Sequence, residues 1–515
     1  MVNAELWSSR VARRVKMRKF AKTLIRLAMV VLASALSVAA AAETTLIDAV
    51  KRRNLDEVRA LLKQRADVNA TEGDGSTALH WASHLDDLSA ADLLIGAGAN
   101  VNAANDIGVT PLFLACTNRN GRMVDRLVTA TANPNAVLLS GETVLMECAR
   151  TGDLDAVKAL LARGANVNAT GSSHEQTALM WAAAQGHSKV VAALIELGAD
   201  VRARSRTYRS TVTSEGQGLE KRKDPADLNY VVLRGGSTPL LFAARADDVE
   251  SARLLLAAGA DVNDALPDGT SALTLAAHSG NEAVATVLLE KGADPNAAAV
   301  GYTPLHAAVL RGELGLVEAL LTRGANPNAR ITAGTPIRRS SQDFALPTAL
   351  IGATPYYLAA KFLEVPIMRA LVAAGADPKL GAPDGTTPLM AAAGIGASLS
   401  SDRRGVGIDD GGGKLEPQSR VLDAVQAAID LGGDVNAANQ AGNTALHGAA
   451  FLGYDSVVQR LVDRNAAVNA KNKRGQTPLA MLTGRDVAAA NAVFSPVEGA
   501  FPSTVALLRK LGATD

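Results

Sequence analysis

The strongest constraint on the fold of this chain is a short motif that recurs along most of its length. The motif has the form Gly-Ala-(Asp/Asn)-x-Asn, and most steps between copies are 32–34 residues. Its acidic or amide position falls at Asp67, Asn100, Asn133, Asn166, Asp200, Asp261, Asp294, Asn326, Asp377 and Asp434, and Ala467 continues the series. A period of this size predicts a solenoid, because so short a unit cannot bury its apolar surface alone and must stack on its neighbours.

A second motif follows the first in most units and indicates how each unit folds. In the copy GYTPLHAAV, which starts at Gly301, the glycine opens a turn, Thr303 caps a helix and Pro304 takes the first helical position. A polar break leads into a second helix, which Gly324 ends in the left-handed conformation. Each unit therefore reads as two short helices joined by turns. Only 3% of the residues are aromatic, so we expect a core of Ala, Leu and Val.

The length of 515 residues is too great for one compact core but fits a linear array. About 12 units account for residues 43–515 once four insertions are set aside, at 204–235, 331–350, 394–419 and 484–502. The first two insertions replace turns between units, and the other two separate the helices of one unit. We expect them to be long loops, which in a regular array are often functional.

The Thr-Pro-Leu-His-x-Ala and Gly-Ala-Asp-x-Asn motifs resemble those of the ankyrin-repeat family, over nearly all of residues 43–515. The resemblance implies an all-α repeat fold: an ankyrin solenoid of helix-turn-helix units with β-hairpin tips, stacked into a curved array with a concave face. For function it implies protein binding and not catalysis. More loosely, the chain resembles long secreted ankyrin proteins of bacteria.

The first 42 residues are typical of a secretory signal. They carry a net charge of +7, followed by an apolar run from Leu27 to Ala42 that ends in small residues. We expect cleavage near Ala42/Glu43 and a periplasmic or secreted protein without stable membrane insertion. An uncleaved membrane anchor formed by residues 24–42 remains the alternative, and Met17 is a second candidate start.

The composition argues against several classes of function. Residues 43–515 carry a net charge of −6, which does not suit a nucleic-acid binder. The glycines at 405–413 lack the context of a phosphate-binding loop, and the spacing of Asp402, Asp409 and Asp410 matches no known calcium loop. We therefore expect no catalytic residues, no cofactor and no metal site, and we expect a monomer.

The histidines fall mostly at structural positions of the motif. The resemblance implies that His80, His306 and His447 bond the hairpin backbone and that His187 follows a family pattern, whereas His84, His174 and His278 fall in separate units. Cys116 and Cys148 occupy neighbouring alanine positions of adjacent units. Because packed helix axes lie about 8–10 Å apart, the spacing favours buried free thiols, with a disulfide left open.

Two sets of side chains are candidates for binding a partner. Residues just past the alanine pair should end the first helix and point toward the concave side, and these are His84, Arg150, Arg245, His278, Lys361 and Phe451. Large apolar residues just before the alanines form an interhelical packing layer or an apolar stripe open to a partner, and these include Trp81, Trp181 and Phe242.

These observations lead to one main hypothesis, a non-enzymatic, exported scaffold that binds a protein partner through its hairpin tips and concave face. The first alternative is a secreted effector that binds host proteins. The second, less favoured, is a metal- or ligand-binding protein that uses the insertions.

Overall fold

The computed structural model describes residues 45–213, 229–334, 350–396, 417–483 and 501–514. The predicted signal segment at 1–42, the middle of the 204–235 insertion and most of the other three insertions lie outside these ranges. The described residues divide into two compact units. The first comprises residues up to Ser210 together with Leu233–Pro267, and the second comprises Thr211–Val232 and the chain from Asp268 onwards.

The first unit contains six helix pairs. In chain order they are α1 (Leu46–Lys51) and α2 (Leu55–Lys63), α3 (Ala78–His84) and α4 (Leu88–Gly96), α5 (Pro111–Thr117) and α6 (Gly121–Thr129), α7 (Val144–Thr151) and α8 (Leu154–Ala162), α9 (Ala178–Ala184) and α10 (Ser188–Glu196), and α11 (Pro239–Ala246) and α12 (Val249–Ala257). The predicted first unit, which lacks the Thr-Pro motif, thus still forms both of its helices.

The second unit also contains six pairs. They are α13 (Ala272–Ser279) and α14 (Glu282–Glu290), α15 (Pro304–Arg311) and α16 (Leu314–Thr322), α17 (Pro355–Lys361) and α18 (Val365–Ala373), α19 (Pro388–Ala392) and α20 (Gln418–Asp430), α21 (Ala445–Phe451) and α22 (Asp455–Asp463), and α23 (Ala480–Thr483) and α24 (Pro502–Lys510). The described residues therefore hold twelve pairs, as the motif spacing predicts.

The motif residues act at the helix ends as expected. Thr303 lies at the N-cap of α15, where its hydroxyl accepts a hydrogen bond from the His306 backbone N–H, and Pro304 occupies the first turn. Gly312 ends the helix at φ +77°, and Gly324 follows α16 at φ +84°, both in the left-handed region that glycine favours.

An asparagine from each motif fixes the register between consecutive pairs. The Asn135 side-chain amide donates to the Gly164 carbonyl at 2.9 Å, and its side-chain carbonyl accepts from the Asn166 backbone N–H at 2.7 Å. The same two bonds link Asn296 to the unit that follows it. This repeated pairing explains why the last position of the motif is nearly always Asn.

The core is aliphatic, as the low aromatic content predicts. Alanines of the first helices, such as Ala115 and Ala149, are fully buried and let neighbouring helices approach closely. Leucines and valines of the second helices fill the remaining interior, and Val124 and Leu160 are examples. Small and branched residues therefore share one packing layer along each unit.

The 204–235 insertion is not simply a loop. It contains β1 (Tyr208–Thr213) and β2 (Asn229–Arg234), which pair in a two-stranded sheet. The expectation of a long loop is wrong for these strands. Their residues Val231, Val232 and Leu233 have the β-branched and aliphatic character that strands favour. Among the described helices, none combines the length and hydropathy that crossing a bilayer requires.

Candidate functional site

Trp81 is a candidate binding residue that is held by three neighbouring side chains. Its indole N–H donates to a Glu72 carboxylate oxygen at 2.7 Å, and the Lys51 ammonium lies 4.4 Å from the centre of its ring. Lys51 and Glu72 also form an ion pair with each other. The indole is only half-buried, and the exposed His84 ring packs edge-on against it at 5.7 Å. The three neighbours therefore fix the orientation of an aromatic surface that solvent still reaches.

Arg150 is held by an acid that sequence reasoning overlooked. Its guanidinium makes two hydrogen bonds to Glu147, three residues earlier on α7, and the Nε–Oε2 distance is 2.8 Å. Glu147 is only 4% exposed and also accepts from the Thr117 hydroxyl at 3.0 Å. The available signal was an acid in the position that Trp81 and Trp181 occupy in other units.

The remaining aromatic candidates of the first unit differ in exposure. Trp181 on α9 is half-buried, so part of its surface reaches solvent. Phe242 is 4% exposed, which agrees with the alternative of packing between helices and not with an apolar stripe open to a partner at this position. Arg245, one turn later on α11, places its guanidinium 5.8 Å from the centre of the Phe242 ring and helps to cover it.

The second unit holds three of the predicted residues. His278 is 3% exposed, and the Tyr302 ring lies 6.0 Å from its own ring. Helix α13 continues past His278 to Ser279. The prediction that His278 ends the helix and is accessible on the concave side is therefore wrong. Lys361 is half-buried and donates to the Gly396 carbonyl at 2.7 Å, and burial lowers its pKa. Phe451 is half-buried at the end of α21.

The histidines of the Leu-His motif are structural. His80 Nδ1 lies 2.9 Å from the Thr77 hydroxyl, and Nε2 donates to the Val109 carbonyl of the next pair at 2.9 Å. His447 repeats both contacts with Thr444 and Gln476. Burial lowers the pKa of each ring, against the opposing effect of the carbonyl it faces. The predicted hydrogen bonds to the hairpin backbone are confirmed, and these rings are committed to the fold.

The preference for free thiols is wrong. Cys116 and Cys148 form a disulfide between α5 and α7, with their Cα atoms 4.7 Å apart and both residues fully buried. The prediction used the distance between helix axes, whereas the two cysteines face each other directly, at a place where the backbones of the two helices approach more closely than the axes do.

Sequence reasoning also missed three exposed aliphatic residues in the turns of the first unit. Ile107, Val137 and Leu139 are 65%, 57% and 78% exposed. The available signal was an aliphatic side chain at a turn where Gly, Asn, Asp or Ser is usual. Within the ranges that the structure describes, no group of three metal-binding side chains comes together. Asp402, Asp409 and Asp410 lie outside those ranges.

Comparison with known families agrees with the geometry. The model for three consecutive ankyrin repeats matches residues 19–105, 46–138, 112–205, 219–299 and 240–331, and the single-repeat model matches 441–473. Together these matches cover more than half of the chain. Repeats of this type serve as protein–protein interaction modules, and no catalytic domain is matched.

One curated relative shares part of the array. The chain is similar to Protein PhlB of Serratia liquefaciens, with 45% identity over 71 residues, which is 13% of this chain and 31% of that protein. The match thus spans less than a third of the relative's length. The family matches, the helix pairs and the capped motifs together place this chain in the ankyrin-repeat family.

Proposed function

We propose that this protein is an exported, non-enzymatic scaffold that binds a protein partner through the turns and first helices of its repeats. The observation that carries the proposal is Trp81, a half-exposed indole already fixed by Glu72, Lys51 and His84. Tryptophan is enriched among residues that dominate binding energy, and a side chain that is ordered before binding loses little entropy on contact.

The export half of the proposal is supported by the disulfide. Disulfides form and persist in oxidising compartments such as the bacterial periplasm and are rare in the cytosol. The Cys116–Cys148 bond is therefore compatible with the signal segment that the sequence predicts at residues 1–42.

A crosslinking experiment tests the binding half. A photoreactive amino acid is placed at His84, which is exposed beside Trp81, and the protein is irradiated in its native cell envelope. We expect a discrete protein adduct that is lost in Trp81→Ala and kept in Arg59→Ala, because Arg59 is an exposed residue of the same unit outside this cluster.

Deletion of 204–235 tests the contribution of the first insertion. We expect the deletion to preserve the helical circular dichroism and to lower the adduct yield several-fold. If the wild-type protein gives no protein adduct at any surface position, the scaffold proposal fails. If the adduct consists of host proteins outside the producing cell, the effector alternative replaces the envelope scaffold.

A further inference from the structure

The turns between helix pairs of the first unit touch one another in sequence and form a continuous strip. We call residues 72–76, 105–109, 137–142 and 171–176 the tip row. The Asp106 backbone N–H donates to the Asp74 carbonyl at 3.0 Å, and the Ser172 hydroxyl donates to the Ser140 carbonyl at 2.8 Å. The tip row is therefore a surface built from four repeats.

The middle of the tip row is apolar. A methyl group at Gly108 would lie 3.0 Å from the Leu139 nitrogen and 3.3 Å from its Cγ, so these two turns are in close contact. Ile107 on one turn and Val137 and Leu139 on the next are each more than half exposed to water. A partner that covers these exposed residues would stabilise the complex by about 25 cal/mol per Å² of apolar surface removed from water.

The charged residues of the tip row are all acidic. Asp74, Asp106 and Glu175 are exposed, and Glu142 is half-buried. Glu72 is also half-buried and is already paired with Lys51, so it adds little to the charge that a partner would meet. None of the four turns contains Lys or Arg. Burial acts to raise the pKa of Asp74, but hydrogen bonds from the Ser76 backbone and hydroxyl outweigh it, so that this pKa is lowered and the carboxylate stays ionised at neutral pH. A partner segment that covers the aliphatic residues would thus be flanked by negative charge.

We infer that the tip row is a docking surface for a protein segment whose aliphatic side chains are flanked by Lys or Arg. The three exposed aliphatic residues supply the apolar contact, and the carboxylates on neighbouring turns select a cationic partner by charge complementarity. This inference rests on the proposed scaffold function and adds to it the place of binding and the chemistry of the partner.

Selection from a random peptide library tests the inference on the purified full chain. Displayed 12-residue peptides are selected on the wild-type protein and depleted on the triple variant Ile107→Ser, Val137→Ser, Leu139→Ser. We expect enriched peptides to combine Leu, Ile or Phe with Lys or Arg. For a synthetic enriched peptide, we expect binding to weaken at least tenfold in the triple variant, measured by fluorescence anisotropy.

Two further variants control the measurement. Leu197→Ser removes an aliphatic residue that is 53% exposed in the same unit but lies at the end of α10, away from the tip row, and should leave binding within twofold. Asp106→Lys with Glu175→Lys reverses two charges and should weaken binding at least tenfold at 50 mM salt and much less at 500 mM, where screening is strong. Circular dichroism and thermal unfolding check that each variant is folded.

The inference is overturned if acidic peptides are enriched, if the triple variant binds as tightly as the wild type, or if Leu197→Ser weakens binding equally. A photoreactive amino acid at Leu139 separates this failure from failure of the scaffold proposal. If a partner crosslinks from His84 but not from position 139, the scaffold proposal holds and the tip row is not the docking surface. If neither position gives a protein adduct, both the scaffold proposal and the tip-row inference fail.

Discussion

At the residue scale, the side chains that the motif specifies are those whose environments the sequence predicts well. Thr303, Pro304 and Gly324 depend only on neighbours within a few positions, so their roles follow from local spacing. His278 was placed wrongly, because the Tyr302 ring that lies beside it comes from the next repeat. Exposure of one residue in a repeat is set by contacts that a motif does not encode.

His306 makes a prediction about pH. It is fully buried, with Nδ1 bonded to Thr303, and burial lowers its pKa from 6.5 to about 4 against the opposing carbonyls of Ala353 and Ala329. Below pH 6.5, His306 therefore binds a proton in the unfolded chain but stays neutral in the folded state until the pH is near 4. The contribution of His306 to stability is complete above pH 6.5 and is lost as the pH falls toward 4, by roughly 3 kcal/mol.

Hydrogen exchange of the α15 amides between pH 7 and 4 measures this effect locally. We expect the free energy of opening to fall with pH in the wild type and to fall much less in His306→Gln, which starts lower at pH 7. His447→Gln is the matched control, since it should flatten the pH dependence in α21 and leave α15 unchanged. Equal slopes in wild type and His306→Gln would contradict the assignment.

At the element scale, the sequence predicted the helix pairs but not the links between them. The twelve pairs follow from a periodic signal repeated many times, which averages out local ambiguity. The disulfide between α5 and α7 and the strands of the 204–235 insertion occur once and carry no such repetition. These single features distinguish this chain from a generic array, and each makes its own prediction.

The disulfide should stabilise the first unit substantially. It joins residues separated by 32 positions, and a loop of that size constrains the unfolded chain by about 3–4 kcal/mol in the entropic account. We expect thermal unfolding of the Cys116→Ser, Cys148→Ser double variant to be shifted down by several degrees and to be insensitive to dithiothreitol. The wild type should move to the same midpoint only after reduction. A wild type that reacts with two equivalents of a thiol reagent after denaturation without reductant would contradict the bond.

Arg204 closes the base of the 204–235 insertion. Its guanidinium donates to the carbonyls of Gly236 and Ala265 at 2.9 and 3.1 Å and pairs with the Asp264 carboxylate. Arg330 makes the equivalent bonds to the Gly352 and Gly381 carbonyls at 2.6 and 3.0 Å, at the start of the 331–350 insertion. Both insertions that replace turns therefore begin with an arginine that ties the insertion base to the next repeat.

Loss of this contact should loosen the β1–β2 sheet without unfolding the repeats. We expect Arg204→Ala to speed amide exchange in Tyr208–Thr213 and Asn229–Arg234 by at least tenfold and to leave the α9 and α11 amides unchanged. Arg202→Ala is the control, because Arg202 also donates to a carbonyl of the next pair, Gly259 at 3.0 Å, but away from the insertion. If the control loosens the strands as much, Arg204 has no special role at the base.

At the scale of the whole molecule, repetition explains what the sequence could and could not establish. Within each compact unit, consecutive helix pairs repeat the same capped turns, and most are linked by the same asparagine bonds, so the fold class follows from any few repeats. The binding surfaces that we propose lie instead in departures from the repeat: the Trp81 cluster, the aliphatic tip row and the 204–235 insertion. A motif predicts where the repeat continues, but it does not predict which of the residues that differ from the repeat are exposed.

Export makes the last prediction, and it connects the N-terminus with the disulfide. The full chain expressed in a Gram-negative host should appear in the periplasmic fraction, with Glu43 as its first residue and no reactive thiol. A version that lacks residues 2–42 should stay in the cytoplasm, where glutathione and thioredoxin keep Cys116 and Cys148 reduced, and should react with two equivalents of thiol reagent after denaturation. N-terminal mass spectrometry and thiol titration of both versions measure these outcomes. Recovery of the intact N-terminus in the membrane fraction would favour the anchor formed by residues 24–42, and cytoplasmic retention of the full chain would contradict export altogether.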